Sequence, residues 1–174
     1  MSVMRCRLPS NTLLGSYASQ PGYTDCYCVT LPGSTSLAQF VESFYTSGLF
    51  KLERWLLARA LGLPASDADA AALAQGAVQT FSAWRVEGRT ADELLVAAGR
   101  TRSWFKVMPA TDLPVSSTVL LFGSAVVPGR NGRMGLPFYL LSGFHRLYAR
   151  SLLAAAARRL AHIKPVGGAA SDVA

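Results

Sequence analysis

Two stretches of this 174-residue chain put proton-transfer groups next to apolar residues. In "GYTDCYCVTLPG", Asp25 lies between Tyr23 and Tyr27 at strand period, so a carboxylate and two phenols share one face. Such a patch could orient the polar end of a ligand in an apolar pocket, or cap a sheet edge beside Arg85. In "SGFHRLYARSLLAAAARRLAHIKP", His145 opens a helix-like run and is the one residue type there with an unperturbed pKa near neutrality. His145 and Asp25 are therefore the acid/base candidates. For His145 the plainer alternative is a boundary histidine holding the helix start through a hydrogen bond.

Arg85 raises a second question. If it faces inward it needs a partner, because an unpaired buried charge is very costly. "WRVEGRTADELL" reads as a hairpin that would set Glu93 beside it, giving a structural Arg85–Glu93 pair. The alternative is an arginine that takes a ligand carboxylate or phosphate. Trp104 and Lys106 share one face of a strand whose other face carries Phe105 and Val107. Apolar residues on both faces imply that both are covered, and a homodimer would do that.

Other chemistries lack their residues. "FGSAV" is not a nucleophile elbow, and neither a P-loop nor a dinucleotide glycine fingerprint occurs. Two histidines and three cysteines at unsuitable spacing make no metal site, and an odd cysteine count makes no disulfide framework. Cys26 and Cys28 share a strand face whose geometry does not favour bridging them. A reducing cytoplasmic setting is expected, with no signal peptide and no transmembrane run.

These residues must be positioned by an ordered set of elements. "GYTDCYCVTLPG" reads as a first strand ended by Pro-Gly. "STSLAQFVESFYTS" has Leu37, Phe40, Val41 and Phe44 at helical spacing behind a serine cap. "LFKLERWLLARALG" predicts a helix with Leu49, Leu52, Leu56 and Ala60 on one face and Gly62 as its stop. "SDADAAALAQ" predicts a short helix capped by Ser66. Four strand-like runs follow, "AVQTFSAWRVEG", "DELLVAAG", "RSWFKVMPA" and "STVLLFGSAVVPG", spaced as an antiparallel meander before the long last helix.

The fold class expected is α+β, helices against one face of a curved antiparallel sheet. One domain over residues 1–164 and a tail over 165–174 fit the length and composition. On a helical wheel, Leu141, Phe144, Leu147, Tyr148, Ser151, Leu152 and Ala155 form the predicted inward arc of the last helix. Arg146 and Arg150 then face outward with Ala149, Leu153, Ala157 and Leu160. The net charge of +7 is concentrated in this region, where seven basic residues after position 125 meet only Asp172. Weak contact with an anionic membrane is one use of such a face. Nucleic-acid binding is not expected, since the basic residues are not interleaved with exposed aromatics.

Over roughly residues 80–155 the chain resembles a bacterial domain family of unassigned function. Trp84, Arg85, Val86, Glu93, Leu94, Leu95, Trp104, Phe122, Pro128, Gly132, Tyr139, Phe144 and His145 carry the likeness. That family looks like part of the START-like, polyketide-cyclase-like helix-grip superfamily. The resemblance implies a cavity under the C-terminal helix that takes a small hydrophobic molecule, lipid- or polyketide-like, with cofactor-free acid/base chemistry in some members. It implies no cofactor here, because the dehydrogenase-like domain that precedes some relatives is not in this sequence. The expected ligand-binding set is Tyr23, Tyr27, Arg85, Trp104, Phe122, Phe144 and Tyr148, and no metal ligands are expected.

Overall fold

The computed structural model describes residues 2–111, 116–128 and 136–163, without the side chains of residues 57, 60, 61 and 136–145. Twelve elements are present among them: β1 (Met4–Arg5), α1 (Gly15–Ala18), β2 (Tyr23–Pro32), α2 (Leu37–Tyr45), α3 (Gly48–Leu61), α4 (Asp67–Gln75), β3 (Thr80–Phe81), β4 (Trp84–Arg89), β5 (Glu93–Ala98), β6 (Thr101–Pro109), β7 (Ser117–Val126) and α5 (Leu136–Ile163).

Local signals account for most boundaries. Ser36 and Ser66 each close a capping box, with Gln39 and Asp69 as the returning side chains. Gly62 and Gly76 end α3 and α4 in the left-handed conformation that glycine adopts without steric cost. Arg89 adds a tertiary stop by donating to the carbonyls of Leu73 and Ala74 at the end of α4, at 2.5 and 3.1 Å.

All strands join one open antiparallel sheet in the order β1-β2-β7-β6-β5-β4-β3. The chain is therefore α+β, with the expected meander running from β3 to β7 and the first long strand, β2, paired to the last, β7. The first meander run divides into β3 and β4 at Ser82, which takes a positive φ of 50°.

One face of the sheet carries the main core. Tyr27, Val29, Leu94, Val96, Phe105, Leu120 and Phe122 meet residues of α2, α4 and α5 there. Its centre is aromatic: Phe44 lies 4.8 Å from Phe105 and 4.7 Å from Phe122 between ring centroids, distances that suit tilted and edge-on ring pairs.

The opposite face is covered by the chain's own N-terminal segment. Leu8, Leu13, Leu14 and Tyr17 pack over Cys26, Leu95, Trp104, Leu121 and Ala125. Leu14 can come this close because residue 123 is glycine; a Cβ there would meet the Leu14 side chain at 2.6 Å. The apolar face that suggested a homodimer thus has an intramolecular cover.

Two helices bury faces that only partly follow the spacing of their leucines. In α5, Ala149, Leu152, Leu153, Ala156, Ala157 and Leu160 are buried, whereas Leu147 is 64% exposed. Apolar residues almost surround that helix, so the sequence set its rotation weakly, and small alanines decided which face could approach α2 and β2. In α3, Leu52 and Leu56 are exposed and Phe50 and Arg54 are buried. Phe50 packs on Tyr45 at 4.7 Å and Trp84 at 5.1 Å, which turns the helix.

Candidate functional site

Between the sheet and α5 lies a cavity of about 240 Å³. α2 contributes Phe44 and Tyr45, α3 Phe50 and Glu53, α5 Tyr148, Ala149 and Leu152, and the sheet Trp84, Phe122, Ser103 and Ser124. Pockets of this kind, mainly apolar with a few convergent polar groups, are the usual form of a small-molecule site.

The polar groups are few and specific. Tyr148 donates its hydroxyl hydrogen bond to Glu53 Oε2. Burial raises the Glu53 carboxyl above its usual range, and the Tyr148 hydrogen bond partly offsets that. The same pair pushes the Tyr148 phenol up, with burial first and Glu53 second. Among the described residues no cation pairs with Glu53. Tyr45 is fully buried and its Oη has no hydrogen-bond partner among the described residues. Burial and then the Glu53 charge hold its phenol well above the ordinary value.

Asp25 stands one residue behind this wall. It is 3% exposed and pairs across β2 and β7 with Ser124. Its Oδ1 accepts from Ser124 N at 3.2 Å and Ser124 Oγ at 2.5 Å, and its Oδ2 accepts from the Tyr23 hydroxyl at 2.9 Å. Burial raises both the Tyr23 and Tyr27 phenols, and Asp25 adds to it. The charge of Arg146 acts the other way on both, so an arginine expected to face away from the site reaches it electrostatically.

The predicted site residues therefore separate into three groups. Phe122 and Tyr148 line the cavity, and the Tyr23–Asp25–Tyr27 face adjoins it through Ser124. The side chains of Phe144 and His145 lie outside the described residues, as does Tyr139. Arg85 and Trp104 are on the other face of the sheet. Arg85 is exposed in a shallow groove with Leu13, Tyr17 and Glu87, and Trp104 is buried under the N-terminal segment.

The Arg85–Glu93 pair does not form. Arg85 is opposite Ala97, because the hairpin turns at residues 90–92 and a register shift intervenes between Val86 and Gly88. Nor is Arg85 beside Asp25, since β7, β6 and β5 separate their strands. Glu93 instead accepts from Leu13 N and Trp104 Nε1, each at 2.8 Å, and from Lys106 Nζ at 2.9 Å.

No family model, curated protein or solved structure matches this chain. The site stands on its own geometry.

Sequence reasoning missed Glu53, Tyr45 and Ser124. Glu53 had a faint signal: it is the one acid in α3, three residues after Phe50 and so on the same helical face. Tyr45 had none, because "SFYTSGLF" reads as apolar packing around a helix break. Ser124 is identified only by the β2–β7 register.

The cysteines stay free, with Cys6 Sγ 3.3 Å from Cys26 Sγ on the N-terminal-segment side. Among the described residues no cluster of metal-ligating side chains occurs, and no helix is long and apolar enough to cross a membrane.

Proposed function

We propose that this chain is a helix-grip domain that holds a small, largely apolar molecule between its sheet and its C-terminal helix. The observation that carries this reading is the aromatic cavity under α5, with Glu53, Tyr148 and Ser124 converging on it. The strand order supports it too: β2 pairs with β7, and the helices α2–α4 follow β2 and precede the meander. For cofactor-free acid/base chemistry the cavity offers Glu53 with Tyr148, while Asp25 reaches it only through Ser124. We assign Asp25 as a positioning residue, and His145 remains a candidate for direct contact.

Native mass spectrometry of the purified protein tests the reading, since a retained small molecule adds a discrete mass. Titration with an environment-sensitive apolar fluorophore tests it independently. Ala149→Phe, which fills the cavity from α5, should abolish fluorophore binding while leaving the circular dichroism spectrum unchanged. Undiminished binding in that variant would place the probe elsewhere and remove the support.

A second reading is docking to an anionic surface. Its support is the exposure of Leu147 beside Arg146 and Arg150, together with Leu52, Trp55 and Leu56 beside Arg59 on α3. Co-sedimentation with anionic vesicles that disappears at high salt would favour it.

A further inference from the structure

The cavity's polar groups are unevenly matched in a way that specifies the ligand's polar end. Among the described lining residues none is lysine, arginine or histidine, so no described lining side chain would neutralise a carboxylate or a phosphate; the Arg146 charge acts on Tyr23 and Tyr27 instead. Glu53 would repel either. Beside hydroxyls that can donate or accept, the lining supplies one charged acceptor, the Glu53 carboxylate, and the buried, unpartnered Tyr45 hydroxyl, whose oxygen can accept. Around them stand the rings of Phe44, Tyr45, Phe50, Trp84, Phe122 and Tyr148, whose negative faces attract cations. Withdrawing a carboxylate even partly from water without a cation is costly, and a ligand cation would reduce that cost. A neutral ketone or alcohol could meet Tyr45 but would leave Glu53 uncompensated.

We propose that the occupant is a small apolar molecule bearing one protonated amine, held by the Glu53 carboxylate and the Tyr45 hydroxyl within the aromatic walls. This inference rests on the ligand-pocket reading above and narrows it to one chemical class. The ammonium N–H groups donate to Glu53 and to Tyr45 Oη, and Tyr148 fixes the carboxylate through the hydrogen bond it already makes. Tyr45 then has a role that core packing does not require of its hydroxyl.

The test compares three probes of matched shape, 2-phenylethylamine, 2-phenylethanol and phenylacetate, each titrated against the full chain by ligand-observed NMR and calorimetry at neutral pH. The amine is expected to bind at least about tenfold more tightly than the alcohol, equivalent to about 1.4 kcal/mol. Phenylacetate is expected to bind least. In Glu53→Gln the amine-to-alcohol ratio should fall to about one. Tyr45→Phe should weaken the amine on the order of threefold, the size of one lost hydrogen bond, with thermal stability of the free protein undiminished.

If the alcohol binds as tightly as the amine, or Glu53→Gln keeps the preference, the amine assignment is overturned and the pocket reading survives. If none of the three binds and the apolar fluorophore does not bind either, both fall.

Discussion

Glu53, half-buried, and Glu93, buried, stand on opposite sides of one sheet, and their surroundings could hardly differ more. Glu93, 4% exposed, accepts from an amide, an indole N–H and an ammonium, and the ammonium is also held by Asp92 at 2.5 Å. Every donor comes from an element that needs fastening: the N-terminal segment through Leu13, and β6 through Trp104 and Lys106. Glu53 has one described partner, Tyr148, beside a phenol with none. A buried carboxylate with a complete set of donors is a structural fastening; the incomplete set at Glu53, beside a cavity, is what the proposed ligand would complete.

Removing the fastening should be the most damaging change. Glu93→Ala leaves Trp104 Nε1, Leu13 N and part of the Lys106 charge unsatisfied, and a loss of about 3–5 kcal/mol is expected in urea unfolding. A loss below about 1 kcal/mol would mean that the network is solvated in solution and the comparison fails.

Gly123→Ala probes the same face by packing alone. The added methyl meets Leu14, the Asp25 carbonyl at 3.0 Å and Trp104 at 3.0 Å. Overpacking there should cost about 1–3 kcal/mol and expose the N-terminal segment to proteolysis. Protection unchanged from the parent protein would show that the segment sits differently.

Glu53→Gln should behave in the opposite sense, with stability at neutral pH equal to the parent or higher by up to about 1 kcal/mol. The sign follows from linkage. The folded-state pKa of Glu53 is raised above its usual 4.5, so the native state binds the proton more tightly than the unfolded chain. Stability therefore falls as pH rises from 4.5 through the raised folded value, and Glu53→Gln should flatten that decline. Thermal melts across this window measure it; a steeper decline in the variant would contradict the assignment.

Arg85→Ala should have the smallest effect, within about 0.5 kcal/mol, because the side chain is exposed and has no fastening role. It should also leave fluorophore binding in the cavity unaltered.

Much of the framework was legible because its signals are local. Ser36, Ser66 and Gly62 mark helix ends through backbone hydrogen bonds and glycine conformation that involve a few neighbouring residues. The strands after Thr80 were legible from alternation and turn residues, and Tyr23, Asp25 and Tyr27 share a face simply because strand period is two. The rotation of α3 and α5 was not legible. "LERWLLARAL" and "LYARSLLAAAARRL" offer more than one apolar stripe, and the stripe chosen depends on what each helix meets. Arg85 and Glu93 were misassigned to each other for a related reason: one bulge shifts the register, and only the paired strand shows it.

The amino-acid sequence by itself determined the α+β class, the order of elements from β2 to α5, the capped helix starts and the aromatic wealth of the region around the cavity, since each arises from interactions within a few residues. The tertiary structure alone decided that the N-terminal segment covers the second face, that Glu93 is fastened while Glu53 is not, and that Tyr45, Glu53 and Tyr148 meet. Those outcomes depend on side chains far apart in the chain being packed together, Glu53 and Tyr148 lying 95 residues apart, and no local pattern encodes such a distance.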